Sequence, residues 1–187
     1  MIRVAILASG NGSNAQALME HAQALSNLEV VCVISDKVEA KVLTRAKNFN
    51  IPAKAIIKNR SKREHEEAIA STLKELEVDW IFLAGYMRLF SDYFVGNFKN
   101  KIINIHPSLL PEYPGLEAYE RAFADEKDFS GITIHYVDEG MDTGKPIIQE
   151  KFIKLKTDTI ESFKARGLEL EHKMYKKVLE KVANHEL

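Results

Sequence analysis

Asn104 and His106 stand two residues apart at the end of the apolar run KIINI (101–105), inside the stretch NIHPSLLPEYPG. An amide and an imidazole can each donate a hydrogen bond to a developing oxyanion, and an imidazole can also move a proton. Residues two apart on a strand point to one side, about 6–7 Å apart along the chain. Pro107, Pro111 and Pro114 follow, three of the five prolines in the chain, and restrict the backbone around them. They predict a stiff loop that positions the pair without a supporting network. The same two residues also suit a plain role, with Asn104 satisfying backbone at a strand end and His106 as half-buried filler. Asp142, in DEGMDTGK, is a third candidate. Asp-Thr-Gly is ordinary turn chemistry, so its relevance depends on whether that turn lies over His106, which spacing does not decide.

A second stretch able to do chemistry is ASGNGSNAQAL (8–18), between an apolar run and a helical pattern. Small residues there let a backbone close on a phosphate, whose charge is favoured by the free N–H groups of a helix start. No Lys-Ser or Lys-Thr follows the glycines, so this is not a P-loop. Gly10, Gly12 and Ala15 match the dinucleotide pattern G-x-G-x-x-A, and Asp36 lies where a ribose-binding acid belongs, so a nicotinamide-dependent dehydrogenase is an open alternative. Asn11, Ser13 and Asn14 bring side-chain donors into the turn, which suits a single phosphate better. A bare Gly/Asn turn with Asn14 capping the helix is the third possibility.

These groups need elements to hold them. IRVAILA (2–8), EVVCVIS (29–35), AKAII (53–57), DWIFLAG (79–85) and KIINI (101–105) are strand-length apolar runs. Between them the pattern predicts helices over 14–25, 39–49, 61–76 (Ser61 as N-cap) and 91–97. Strands apolar on both faces and joined by helices form a parallel sheet with helices on both sides. GITIHYV (131–137) and KPIIQEKFIKL (145–155) alternate instead, which predicts an antiparallel hairpin, and a last helix covers about 159–183. The fold class is therefore α/β, doubly wound, with a mostly parallel sheet of about seven strands, an antiparallel far edge and helices on both faces. One domain is expected over 1–187, large enough to bury close to ~70% of its unfolded surface. Ligands of such sheets bind beyond the carboxyl ends of the strands, where both candidate loops fall.

Composition narrows the function class. The chain has 187 residues, 45% hydrophobic and 28% charged, with a net charge of −1 and interspersed signs. That argues against nucleic acid or an anionic membrane as the main partner. The single cysteine, Cys32, cannot form an internal disulfide, and neither a signal peptide nor a membrane-spanning run is visible, so a reducing cytoplasm is expected. Neither Cys32 nor Ser108 has the context of an activated nucleophile.

SGNGSN, AGYMRLFS, NIHPSLLPEYPG and GITIHYVDEGMDTGKPIIQ, in this order and spacing, resemble the folate-dependent formyltransferases, in particular those that act on glycinamide ribonucleotide in purine synthesis. The resemblance runs from about residue 3 into the last helix. It implies transfer of formyl from the co-substrate 10-formyltetrahydrofolate to the ribonucleotide's amine, with no metal, no nucleic acid and no membrane, by a monomer or homodimer. Asn104, His106 and Asp142 would be catalytic. Gly12, Ser13 and Asn14 would hold the substrate's phosphate, and Glu171 its ribose hydroxyls. Arg63, Met87, Arg88, Leu89, Phe90, Asn104, Asp138, Glu139 and Gly140 would form the folate side. An amine needs no covalent intermediate. Its attack puts negative charge on the formyl oxygen, for which Asn104 and a protonated His106 would be donors, while Asp142 would favour the imidazolium and hold a proton-carrying water. The chain departs from the family at Glu117, at Gly167, which is expected to interrupt the last helix, at Leu168, where a polar residue is common, and at Lys176, where proline is usual. Other formyl-folate enzymes (sugar or tRNA formyltransferases, deformylases) and a non-catalytic nucleotide-binding module are the remaining alternatives.

Overall fold

The computed structural model describes residues 1–58 and 61–187. Its strands are β1 (Ile2–Leu7), β2 (Leu28–Ser35), β3 (Ala53–Ala55), β4 (Trp80–Leu83), β5 (Ile102–His106), β6 (Phe129–Tyr136) and β7 (Pro146–Ile153). The helices are α1 (Ser13–Ala22), α2 (Lys41–Asn48), α3 (Lys62–Glu75), α4 (Asp92–Asn97), α5 (Ala118–Ala124) and α6 (Ile160–Ala183). All seven strands join one sheet in the order β3-β2-β1-β4-β5-β6-β7. The first five run parallel, and β6 and β7 add an antiparallel edge. The expected α/β class, with its mixed edge, is the observed one.

The apolar strands explain this layering. Along β1, Val4 and Ile6 face a core shared with Leu18 and Met19 of α1 and with Met174 and Tyr175 of α6. Ala5 and Leu7 face the other side, against Ile69 and Leu73 of α3 and Phe94 of α4. A strand buried on both faces cannot alternate apolar with polar, which is why these runs are continuous. β7 at the edge alternates, with exposed and half-buried residues in turn.

Capping boxes set the starts of two helices. Ser61 Oγ accepts from the Glu64 N–H while the Glu64 carboxylate accepts from the Ser61 N–H, and Thr159 and Ser162 repeat the arrangement before α6. Two elements differ from the sequence expectation. α5 was not anticipated, because its seven residues fall in a stretch with no long period. Gly167 does not interrupt α6, which is continuous from Ile160 to Ala183.

Candidate active site

β4 and β5 end beside each other, and the turn after β6 folds back over them. A cleft of about 1280 Å³ opens there, lined by residues from α1, α3, α5, α6, the β4–α4 connection and the 138–142 turn. Asn104, His106 and Asp142 all line it. Asn104 Nδ2 donates to Asp142 Oδ1 at 3.4 Å, and His106 Nδ1 lies 3.3 Å from Asp142 Oδ2. Asp142 has φ 56, a left-handed conformation that Asp tolerates better than most residues, and its Oδ2 accepts from the Gly115 N–H at 2.8 Å. Two loops distant in sequence thus close on one carboxylate.

The proline loop is stiff, but it is also tied down. Leu110 N–H donates to Thr133 Oγ1, Thr133 Oγ1 donates to Ser108 O, and Gln149 Nε2 donates to Leu110 O. The expectation of a loop held by its prolines alone is corrected here. Threonine and glutamine side chains from the antiparallel hairpin support the loop that carries the pair.

His135 is a site residue that the sequence did not single out. It is the next-to-last residue of β6, and only the antiparallel register of β5 and β6 sets it opposite Asn104. Its Nε2 lies 3.3 Å from Asn104 Nδ2 and 3.6 Å from Asp142 Oδ1, while Nδ1 is 2.9 Å from Tyr136 O. A polar residue on the buried face of a strand was the available signal.

Electrostatics assign the protons. Burial pushes the Asp142 carboxyl up, but hydrogen bonds from His135 and Gly115 and the two neighbouring imidazoles outweigh it, leaving its pKa below the usual value. Burial pulls the His106 pKa down from its ordinary value, against the Tyr113 carbonyl and Asp142, which raise it. His106 Nε2 donates to Tyr113 O at 2.8 Å. With Nε2 engaged by Tyr113 O, a proton gained by the ring would sit on Nδ1, the nitrogen facing Asp142.

The expected folate side converges on the same cleft. Arg63, Met87, Arg88, Leu89 and Phe90 line it, as do Asp138, Glu139 and Gly140. Phe90 stacks between Tyr86 and Phe94, with ring centroids 5.3 and 4.0 Å away, while Met87 and Leu89 are exposed at the cleft. Arg63 lies over the Tyr93 ring at 3.2 Å. Arg88 Nε donates to the buried Asp36 at 2.7 Å. That ion pair takes the acid required by the dinucleotide alternative.

At the other side, Asn14 and Glu171 line the cleft, with Asn14 Nδ2 donating to Glu171 Oε2 at 2.5 Å. Gly12 and Ser13 precede Asn14 at the start of α1 and do not themselves line the cleft. Gly12, at φ 75, is the N-cap position, and no side chain caps the helix. Asn14 is thus inside α1 and faces Glu171, so the capping role considered for it is not the observed one. Among the described residues no group of three or more His, Cys, Asp or Glu is placed to hold a metal ion, and no helix is long and apolar enough to cross a membrane.

Residues 2–179 match the family model described as formyl transferase. The chain belongs to the formyl transferase family. Among curated relatives, phosphoribosylglycinamide formyltransferase of Bacillus subtilis is 44% identical over 186 residues, covering 97% of this chain and 95% of that one. The enzyme of the same name from Haemophilus influenzae is 40% identical, covering 96% and 86%. The crystal structure of phosphoribosylglycinamide formyltransferase from Bacillus halodurans superposes with a TM-score of 0.91 at 43% identity, covering 96% of this chain and 94% of that chain.

Proposed function

We propose that this chain catalyses the reaction its relatives are named for, transferring formyl from 10-formyltetrahydrofolate to the amine of phosphoribosylglycinamide in purine biosynthesis. The observation that carries the proposal is the meeting of Asn104 and His106 on Asp142 inside the cleft of a formyl transferase fold. The substrates are small molecules, and the formyl-folate is a co-substrate rather than a resident group. One catalytic domain spanning 1–187 does the work, supported by the single sheet and its two packed faces. A reducing cytoplasm suits the lone thiol of Cys32, which is buried and whose pKa burial pushes up to about 11.

The neutral amine attacks the formyl carbon, and Asn104 Nδ2 donates to the oxygen as it becomes negative. The Asp142 carboxylate beside His106 Nδ1 favours the imidazolium, whose positive charge offsets the developing oxyanion alongside the Asn104 amide. Asp142 holds the water that carries the attacking nitrogen's proton to the leaving folate nitrogen, whose bond to the formyl carbon breaks as the oxyanion collapses to the product amide. Each donor to the oxyanion contributes roughly 10²–10³ in rate. Met87, Leu89 and Phe90 form an apolar wall for a flat pterin, with Arg63, Arg88, Asp138, Glu139 and Gly140 around it. Asn14, at the cleft, with Gly12 and Ser13 preceding it at the start of α1, would meet the phosphate, and the Glu171 carboxylate accepts from the ribose hydroxyls.

Purified chain mixed with phosphoribosylglycinamide and 10-formyltetrahydrofolate is expected to show the absorbance change of deformylated folate, dependent on both substrates. Release of formate without the ribonucleotide would instead make it a deformylase, and no change at all would end the proposal.

A further inference from the structure

The Glu171 carboxylate is 6% exposed, yet it lines the cleft. A carboxylate has about four lone-pair positions on its two oxygens. One on Oε2 is taken by Asn14 Nδ2 and one on Oε1 by the Tyr119 hydroxyl, each at 2.5 Å. One acceptor position on each oxygen is left. Asn14 adds another: its Oδ1 is buried without a hydrogen-bond partner among the described residues, on a side chain 9% exposed that lines the same cleft. These open acceptor positions fit a ligand with two adjacent donors, which is what a vicinal diol presents.

The donor on Oε1 has to be brought in from α5, and α6 is shaped to admit it. Gly167, one turn before Glu171, has no side chain, and a Cβ there would lie 2.4 Å from both Cε1 and the hydroxyl of Tyr119. Glycine inside a helix is less favourable than alanine, so the sequence gives up helix stability at this position. The Tyr119 ring is held by edge contact with the buried Phe163, with centroids 6.0 Å apart. Tyr175 also lies near Glu171, but its hydroxyl donates to Leu83 O at 2.7 Å. Leu168 lines the cleft and supplies no donor.

We infer that Tyr119 is a positioning residue of the sugar-binding end of the cleft, fixing the Glu171 carboxylate so that its free lone pairs meet a ribose cis-diol, and that Gly167 exists to admit the phenol. The inference rests on the proposed ribose role of Glu171. Burial raises the Glu171 carboxyl above its ordinary value, and the hydrogen bonds from Tyr119 and Asn14 offset only part of that rise. Burial, with the Glu171 charge beside it, pushes the Tyr119 phenol far above its ordinary value, so it stays a donor.

The test compares wild type with Tyr119→Phe and Gly167→Ala, with thermal melting without ligand as the control for folding. Calorimetry measures binding of ribose 5-phosphate and of 2-deoxyribose 5-phosphate, and steady-state kinetics gives the two KM values. Loss of one hydrogen bond to a charged group is worth about tenfold. Wild type is expected to prefer ribose 5-phosphate, and both variants to lose most of that preference. In both, KM for the ribonucleotide is expected to rise about tenfold and KM for the formyl donor to stay the same. Tyr119→Phe keeping the wild-type sugar preference overturns the inference, and Gly167→Ala keeping it overturns the part given to Gly167. A wild type that prefers ribose 5-phosphate but transfers no formyl overturns the proposed reaction alone. A wild type without sugar preference overturns the inference even where formyl transfer is intact.

Discussion

Asp142 carries the most contacts of any candidate catalytic side chain: the Asn104 amide, the His106 and His135 rings and the Gly115 N–H. Asp142→Asn keeps its size but removes the charge that stabilises a protonated His106 and orders a proton-carrying water. Asn104→Ala removes a donor to the oxyanion. Both act in the transition state, so each is expected to lower kcat by about 10²–10³ with KM changed only a few-fold. Steady-state kinetics with each substrate varied decides it, and a loss confined to KM would show that these side chains only bind. Asn104 and His106 were legible in the sequence because a two-residue spacing at a strand end already sets their direction. His135 was not, because its place opposite Asn104 exists only through the β5–β6 register. Nor was the direction in which burial moves the His106 pKa, since the amount of protein burying it cannot be read from neighbours in sequence.

At the scale of elements, the strand–helix alternation announced the sheet, and Ser61 as N-cap announced α3, whose full capping box with Glu64 the structure shows. α5 and the fit of Gly167 against Tyr119 were hidden, because each depends on a partner about fifty residues away. The junction of α1 and α2 is a similar case. Gly12 has φ 75, and a Cβ on it would lie 2.5 Å from Val42 Cγ2. Gly12→Ala therefore meets both backbone strain of roughly 1–2 kcal/mol and a clash. From the strain alone, at about 2–4 °C per kcal/mol for a chain of this size, the melting temperature falls by about 2–8 °C. The steric part appears only when both side chains are present. Gly12→Ala with Val42→Ala is thus expected to be more stable than the sum of the two single losses predicts. Strict additivity in thermal unfolding would show that the two positions do not press on each other. Because the same loop leads into Asn14, Gly12→Ala is also expected to raise KM for the ribonucleotide more than it lowers kcat.

Across the whole molecule, three histidines on different elements share one electrostatic condition. His65 on α3 lies 2.9 Å from the Tyr86 hydroxyl, His106 ends β5, and His172 on α6 has a buried Nε2 with no hydrogen-bond partner among the described residues. Burial is the main cause that lowers each pKa from 6.5. The charges around them do not cancel it: Arg88, Asp36 and Glu66 face His65; Asp142, His135 and Arg121 face His106; Lys176, Glu20 and Glu169 face His172. A folded pKa below the unfolded one means that the unfolded chain binds more protons in the interval between them. The stability these neutral rings contribute is therefore complete above about pH 6.5 and is lost as pH falls through the folded values. Thermal unfolding should show a level melting temperature from pH 8 to 7 and a decline from 6.5 to 5, before most carboxylates titrate. His172→Gln removes one of the three without touching the catalytic side chains, so its decline over the same interval should be shallower than that of wild type. A wild-type melting temperature that stays level down to pH 5, or a His172→Gln profile that falls as steeply as wild type, would mean that these rings do not govern stability in acid.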